Sequence, residues 1–159
     1  FGLCNAPPIF MSLMNKIFAD LVDKCLLIYL DDILIYSKTL SEHMEHIKLV
    51  LEILKKESLF ANTNKCEFLL QSVEFLGYKI EHNKLQPAPG KIRCVKEWPV
   101  PQNPREVRSF LGLAGYYRRF VKNFSGIAAA LTRLTQKEAT FYVGDEELQA
   151  FERLKTMLC

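Results

Sequence analysis

Apolar residues recur every three or four positions at Ile9, Phe10, Leu13, Met14, Ile17, Phe18 and Leu21, behind an Asn5-Ala6-Pro7-Pro8 stretch that offers a cap and first-turn prolines. This pattern predicts an amphipathic helix. The period then changes: residues 25–30 (Cys-Leu-Leu-Ile-Tyr-Leu) and 33–36 (Ile-Leu-Ile-Tyr) are short β-type apolar runs meeting at Asp31-Asp32. They predict a buried hairpin with carboxylates at its turn. Thr39 and Glu42 have capping-box spacing, and Leu40, Met44, Ile47, Leu51 and Leu54 follow as the stripe of a second helix expected to pack on the sheet. Two further strand regions, 66–70 and 73–80, lead to an expected turn at His82-Asn83.

Beyond Pro87 and Pro89 the pattern is helical again. One helix is expected over 92–98, ended by Pro99 and Pro101, and the next is announced by Asn103-Pro104-Arg105-Glu106 as cap, first-turn proline and capping-box acid. Its stripe is Val107, Phe110, Leu111, Ala114 and Tyr117; further helices are expected over 125–134 and 146–158, the last with Leu148, Phe151, Leu154 and Leu158 in register. The fold class is therefore α+β, an antiparallel sheet backed by two helices followed by an all-helical part. A segment boundary is expected at the prolines, between 86 and 87. No internal repeat or low-complexity tract interrupts the chain.

At 49% hydrophobic and 25% charged, 159 residues can bury one sizeable core or two small ones, which excludes a disordered chain. The apolar runs stop short of the roughly 20 residues of a membrane span, and no signal-peptide pattern opens the chain. No membrane partner is expected, and the expected setting is cytoplasmic or nuclear, not secreted. The five cysteines, at 4, 25, 66, 94 and 159, have no metal-ligand spacing and read as reduced thiols. A start at Phe1 without methionine and a stop directly after an amphipathic stretch read as a piece cut from a longer protein.

Net charge is unevenly distributed. Residues 1–88 hold 9 basic and 11 acidic side chains, 89–137 hold 10 and 2, and 138–159 hold 2 and 5, so one contiguous block carries the positive charge. Such a block attracts polyanions, or forms the solvated surface of ordinary helices.

Adjacent carboxylates between apolar strands place hard oxygen ligands at an exposed turn, which suits Mg²⁺ completed by phosphate oxygens and water. The bland alternative is a polar hairpin turn. His43 and His46 lie three apart rather than the four usual for metal-binding helices and read as a solvated helix face.

The letters at the turn, Tyr29-Leu30-Asp31-Asp32, resemble the Tyr-x-Asp-Asp signature of reverse transcriptases. Phe1-Gly2-Leu3, Asn5-Ala6-Pro7 and Phe10 resemble the motif that precedes it, and Leu13-Met14-Asn15 continues in the style of gypsy-type long-terminal-repeat elements. Asn64-Lys65-Cys66-Glu67-Phe68 and Phe75-Leu76-Gly77-Tyr78 resemble the next two palm motifs. Trp98-Pro99-Val100-Pro101, 108–113 (Arg-Ser-Phe-Leu-Gly-Leu) and 116–120 (Tyr-Tyr-Arg-Arg-Phe) resemble that family's thumb, and Ala150-Phe151-Glu152 with Leu154-Lys155 the entry to its ribonuclease H side. The resemblance implies three segments: 1–86 as the C-terminal part of a palm, 87–137 as a thumb, and 138–159 as the start of a connection or ribonuclease H-like domain.

The resemblance implies an RNA-directed DNA polymerase within a pol polyprotein, acting on dNTPs and an RNA/DNA template-primer with two Mg²⁺ ions, Mn²⁺ being an alternative. Its other partners would be the fingers, ribonuclease H and integrase of that polyprotein, in a cytoplasmic virus-like particle or the nucleus. Asp31 and Asp32 would be the catalytic, metal-binding carboxylates, and Tyr29 would lie under the primer end. Phe1 and Gly2 would border the incoming nucleotide, and Lys65 would protonate the departing pyrophosphate. Leu76, Gly77 and Tyr78 would grip the primer, while Arg105, Arg108, Gly112, Arg118 and Arg119 would meet the duplex. The aromatics at 116, 117 and 120 rank as packing. A third carboxylate is expected from a strand upstream of Phe1, so that the 159 residues alone are expected not to extend a primer.

Four positions depart from the family pattern: Met11 for a glutamine, Ala88 for the aspartate of Asp-Pro, Ala130 for a proline and Val143 for a tryptophan. A decayed or repurposed relic that binds nucleic acid therefore stands as the rival to the enzyme, and a purely structural polyprotein segment as a third reading.

Overall fold

The first apolar stripe becomes helix α1 (Ala6–Ile17), whose prolines fall in the first turn, where the missing N–H costs no helical bond. Asn5 occupies the cap position without a side-chain bond. Two four-residue strands follow, β1 (Leu26–Tyr29) and β2 (Asp32–Ile35), paired antiparallel with Leu26 opposite Ile35 and Ile28 opposite Ile33. Side chains alternate across a strand, so these four share one face. That face packs against Met14 and Phe18 at and just beyond the end of α1 and against Val50 and Leu54 of α2 (Leu40–Lys56).

The expected capping box opens α2: Glu42 N–H donates to Thr39 Oγ1 and Thr39 N–H to Glu42 Oε2, both at 3.2 Å. The buried side of α2 differs from the expected stripe. Val50 and Leu54 are buried, whereas Leu40, Met44 and Leu51 are largely exposed. The helix carries two neighbouring apolar stripes, and only the one through 50 and 54 faces this sheet.

This computed structural model describes residues 4–81, 84–137 and 139–159, and the chain divides after Leu69 into two compact units. The strand expected over 66–70 is absent; a short 3-10 turn (Thr63–Lys65) runs into irregular chain, where Leu69 adopts φ +58°. Left-handed backbone at a leucine is incompatible with a continuous strand. Region 73–80 is a hairpin rather than one strand: β3 (Ser72–Phe75) and β4 (Tyr78–Glu81) reverse at Leu76-Gly77. β5 (Lys84–Pro87) pairs with β4, giving the order β3-β4-β5. The turn expected at His82-Asn83 lies outside the described residues.

Helices α3 (Pro89–Lys96), α4 (Pro104–Tyr116), α5 (Phe124–Arg133) and α6 (Asp145–Leu158) complete the second unit. Asn103 caps α4 by accepting from Glu106 N–H at 3.0 Å, and Glu106 returns through Gln102 N–H and Asn103 Nδ2, both at 2.7 Å. The four helices share one core around Val107, Phe110, Leu131, Phe151 and Leu154, with the Phe110 and Phe151 rings 4.6 Å apart. The compact unit that begins at Leu70 thus holds β3–β5 together with α3–α6. Tyr78 joins the helical core, and so does the apolar face of α6. Among the described residues no helix is long and apolar enough to cross a membrane.

Candidate active site

The β1–β2 hairpin turns through two residues, Leu30 and Asp31, because Tyr29 pairs with Asp32. Leu30 has φ +51°, the left-handed backbone that a tight two-residue turn needs at its first central position. A leucine adopts it at a cost of order 1 kcal/mol, so the turn must be held by its surroundings. One holding contact comes from α1: the Leu30 N–H points to Met11 Sδ at 2.8 Å.

Asp31 and Asp32 are both exposed, and among the described residues neither enters an ion pair. Register puts Asp32 and Tyr29 on the same face as Leu27 and Leu34, opposite the packed one. Tyr29 is 51% exposed there. The hairpin thus roots one face in the core and presents a tyrosine and two uncommitted carboxylates at its tip. Phe1 and Gly2 lie outside the described residues.

Lys65 ends the 3-10 turn with its side chain exposed, and no hydrogen bond or ion pair joins it to either aspartate among the described residues. His43 and His46, read from sequence as a solvated face, are partly buried and share one partner: Ser37 Oγ lies 3.1 Å from His43 Nδ1 and 2.8 Å from His46 Nδ1. Their spacing of three put both rings on one side of α2, but the serine two residues beyond β2 gave no sequence signal. No group of three or more His, Cys, Asp or Glu among the described residues could hold a metal ion.

In the second unit, Leu76 (φ +51°) and Gly77 (φ +76°) are both left-handed, as a type I′ turn requires. Tyr116 Oη donates to Leu76 O at 2.6 Å and Tyr117 Oη to Gly77 O at 2.8 Å. Tyr78 Oη donates to Tyr116 O at 3.1 Å, and its ring stacks on Tyr116 with centroids 5.3 Å apart. Tyr117 is buried, and burial raises its hydroxyl pKa above the usual value near 10, with the Tyr116 and Tyr78 hydroxyls adding to the rise. Sequence reading ranked the aromatics at 116, 117 and 120 as packing: Tyr117 and Phe120 do join the helical core, Tyr116 is half-exposed, and the work of the tyrosine hydroxyls was missed. Two adjacent tyrosines where phenylalanine would fill the space equally well were the available signal.

Arg105, Arg118 and Arg119 are exposed, with no carboxylate within 4 Å among the described residues. Arg119 leans over the Phe120 ring, 5.7 Å from its centroid. Arg108 is also exposed, but donates to Thr135 O at 2.8 Å and so helps finish α5. Arg133 is paired with Glu146 at 2.6 Å. At Gly112, on the exposed side of α4, nothing lies within 4 Å of the place a Cβ would occupy.

A strand-turn-strand with paired acidic residues at its tip, on an α+β scaffold, is the frame of a polynucleotide polymerase palm, and the comparisons agree. The sequence profile described as reverse transcriptase (RNA-dependent DNA polymerase) matches residues 1–80, and the chain belongs to that family. It is 40% identical over 159 residues to the retrovirus-related Pol polyprotein from transposon 297 of Drosophila melanogaster, covering 99% of this chain and 15% of that protein. It is 36% identical to the transposon Tf2-3 polyprotein of Schizosaccharomyces pombe, covering 99% of this chain and 12% of that one. The relatives are retrotransposon pol polyproteins, and a gypsy-type origin is consistent with them.

Among solved structures, the foamy viral protease-reverse transcriptase in complex with double-stranded DNA matches with TM-score 0.87 and 26% identity, over 99% of this chain and 28% of that one. The foamy viral enzyme in complex with an RNA/DNA hybrid matches with TM-score 0.82 and 25% identity, over 99% and 21%. The chain thus spans well under a third of the length of each of these proteins.

Proposed function

We propose that this chain is the part of a retroelement reverse transcriptase that supplies the paired catalytic carboxylates and a duplex-binding helical surface. The whole protein would extend a primer from dNTPs on RNA and then DNA templates. One observation carries the reading: Asp31 and Asp32 stand exposed at the hairpin tip with no cationic partner among the described residues. Carboxylates kept free of arginine and lysine remain available to a hard cation.

These residues fit two Mg²⁺ ions, or Mn²⁺ in their place, as a partial donor set, because adjacent exposed carboxylates leave further positions for phosphate oxygens, water and another carboxylate. Asp31 and Asp32 would hold such ions, and the chemistry these would supply is Lewis-acid activation of the primer 3′-hydroxyl and compensation of charge developing at the α-phosphate. The chain's own contribution is positioning. Tyr29, opposite Asp32, offers its ring to the primer end, and Lys65 carries a proton toward the departing pyrophosphate. Phe1 and Gly2 border the nucleotide, and the turn at Leu76, Gly77 and Tyr78 holds the primer strand.

Arg105, Arg118 and Arg119 supply exposed positive charge for phosphates, with Arg108 contributing beside its structural bond. Gly112 supports the same reading: an exposed glycine within a helix costs about 1 kcal/mol relative to alanine, and no packing contact requires it. A backbone left bare on that side admits close approach of a duplex. The remaining polymerase, ribonuclease H and integrase regions of a pol polyprotein would be its covalent partners, in a cytoplasmic particle or the nucleus. The related foamy viral enzyme has been captured with double-stranded DNA and with an RNA/DNA hybrid, which favours the same ligand class here.

Primer extension on an RNA template tests the proposal, using a polypeptide that joins the preceding pol region of the same element to this chain. Mg²⁺-dependent incorporation that falls at least a thousand-fold in Asp31→Asn is expected. An inactive polypeptide that still binds hybrid duplex would instead identify a relic binding module, and undiminished incorporation by Asp31→Asn would overturn the assignment.

A further inference from the structure

A two-residue hairpin turn leaves its central carbonyls outside the strand ladder, because the ladder bonds join the residues that flank them. At Leu76-Gly77 both central carbonyls are instead taken by side chains 40 residues away: Tyr116 Oη on Leu76 O at 2.6 Å and Tyr117 Oη on Gly77 O at 2.8 Å. The Ala88 N–H adds a second bond to Gly77 O, also at 2.8 Å. The contact is reciprocal, since Tyr78, the first residue after the turn, donates its hydroxyl to Tyr116 O and packs against both rings.

Core filling alone does not account for this arrangement. Phenylalanine at 117 would occupy the same buried space without a hydroxyl needing a partner, and an unsatisfied buried hydroxyl is costly. Tyr116 is half-exposed, so its ring is not needed to exclude water from the core, yet its hydroxyl makes the shorter of the two bonds. The fit is close: a Cβ at Gly77 would stand 2.9 Å from Tyr117 Oη. Meanwhile Leu76, a non-glycine at φ +51°, needs outside contacts to hold its backbone.

We propose that Tyr116 and Tyr117 are positioning residues that hold the Leu76-Gly77 turn, through its carbonyls, in the conformation that meets the nucleic-acid backbone. This inference rests on the reading of residues 76–78 as a duplex contact. The turn is uncharged, so its contribution to binding releases no counterions, unlike that of the arginines. Loss of the two hydroxyls therefore has a signature of its own: weaker binding at every salt concentration, with the salt dependence preserved.

The test is hybrid-duplex binding by the full 159-residue chain, followed by fluorescence anisotropy across a salt series, for the wild type, Tyr116→Phe, Tyr117→Phe, the double variant and Arg118→Ala. The double variant is expected to bind about five-fold more weakly or worse with an unchanged slope of log affinity against log salt, while Arg118→Ala lowers the slope by about one. Amide exchange at Leu76 and Gly77, measured without nucleic acid, is expected to quicken in both tyrosine variants. Wild-type affinity in the double variant, beside a wild type that binds, would overturn this inference and leave the duplex reading standing. Absence of binding by the wild type would overturn both. Tyr116→Phe keeps the test decisive should Tyr117→Phe unfold, because the half-exposed Tyr116 ring leaves the core intact; wild-type affinity in that variant, with its Leu76 exchange quickened, would count against the proposal.

Discussion

The backbone N–H of Leu30, at the tip of the acidic hairpin, is met by the thioether of Met11 on α1, 2.8 Å away. A thioether is a weak acceptor, and sequence resemblance places a glutamine at this position. Met11→Gln supplies an amide oxygen instead. A net gain of about 1 kcal/mol for that bond corresponds to roughly five-fold slower hydrogen exchange at the Leu30 amide, observable by NMR. Exchange that is unchanged or faster would show that α1 does not hold the tip through this atom.

Gly77 and Tyr117 should be energetically coupled. Gly77→Ala forces a Cβ into left-handed backbone and to within 2.9 Å of Tyr117 Oη, so a loss of about 1–3 kcal/mol is expected. In a Tyr117→Phe background the obstructing oxygen is gone, and the same substitution should cost measurably less. Denaturant titration of the four chains gives the coupling directly, and strict additivity would argue that the oxygen and the turn do not interact.

Alkaline pH should loosen the second unit. Burial, then the neighbouring Tyr116 and Tyr78 hydroxyls, raise the Tyr117 pKa above its ordinary value near 10, so the unfolded chain releases this proton first as pH rises. The neutral hydroxyl's contribution is fully present below about pH 10 and is lost as pH climbs through the higher folded value. Unfolding monitored from pH 9 upward should therefore show falling stability beginning near 10. Tyr117→Phe should flatten that part of the profile.

Much of this architecture was legible because it depends on local chemistry. The Thr39–Glu42 box, the Asn103 cap and the first-turn prolines are short-range signals, and all three helices begin where those residues stand. The acidic hairpin was legible for a similar reason, since two apolar runs flanking Asp31-Asp32 leave little room for another reversal. Contacts between distant segments were not legible. Nothing near Leu76 announces Tyr116, and nothing in the stripe of α2 tells which of its two apolar faces meets a sheet. Residues 66–70 read as a strand because apolar composition cannot reveal that Leu69 turns left-handed.

The cap of α3 offers a stability prediction of the opposite sign. Ala88 stands at its N-cap with no side-chain bond, where the resemblance places aspartate. Ala88→Asp gives the first turn of α3 both an acceptor and a negative charge near its positive end, and should stabilise the second unit by about 1 kcal/mol. Thermal unfolding at neutral pH measures it, and a lowered midpoint would mean that the buried position rejects the larger side chain.

On the proposed function, the tip of the β1–β2 hairpin gathers divalent cations through its two free carboxylates. Paramagnetic broadening by Mn²⁺ tests it without requiring turnover. Titration of the 15N-labelled chain should broaden the amide signals of Leu30, Asp31 and Asp32 first, with Mg²⁺ competing the effect away and the Asp31→Asn, Asp32→Asn double variant abolishing it. Broadening that begins elsewhere, or that persists at the hairpin tip in the double variant, would contradict the account.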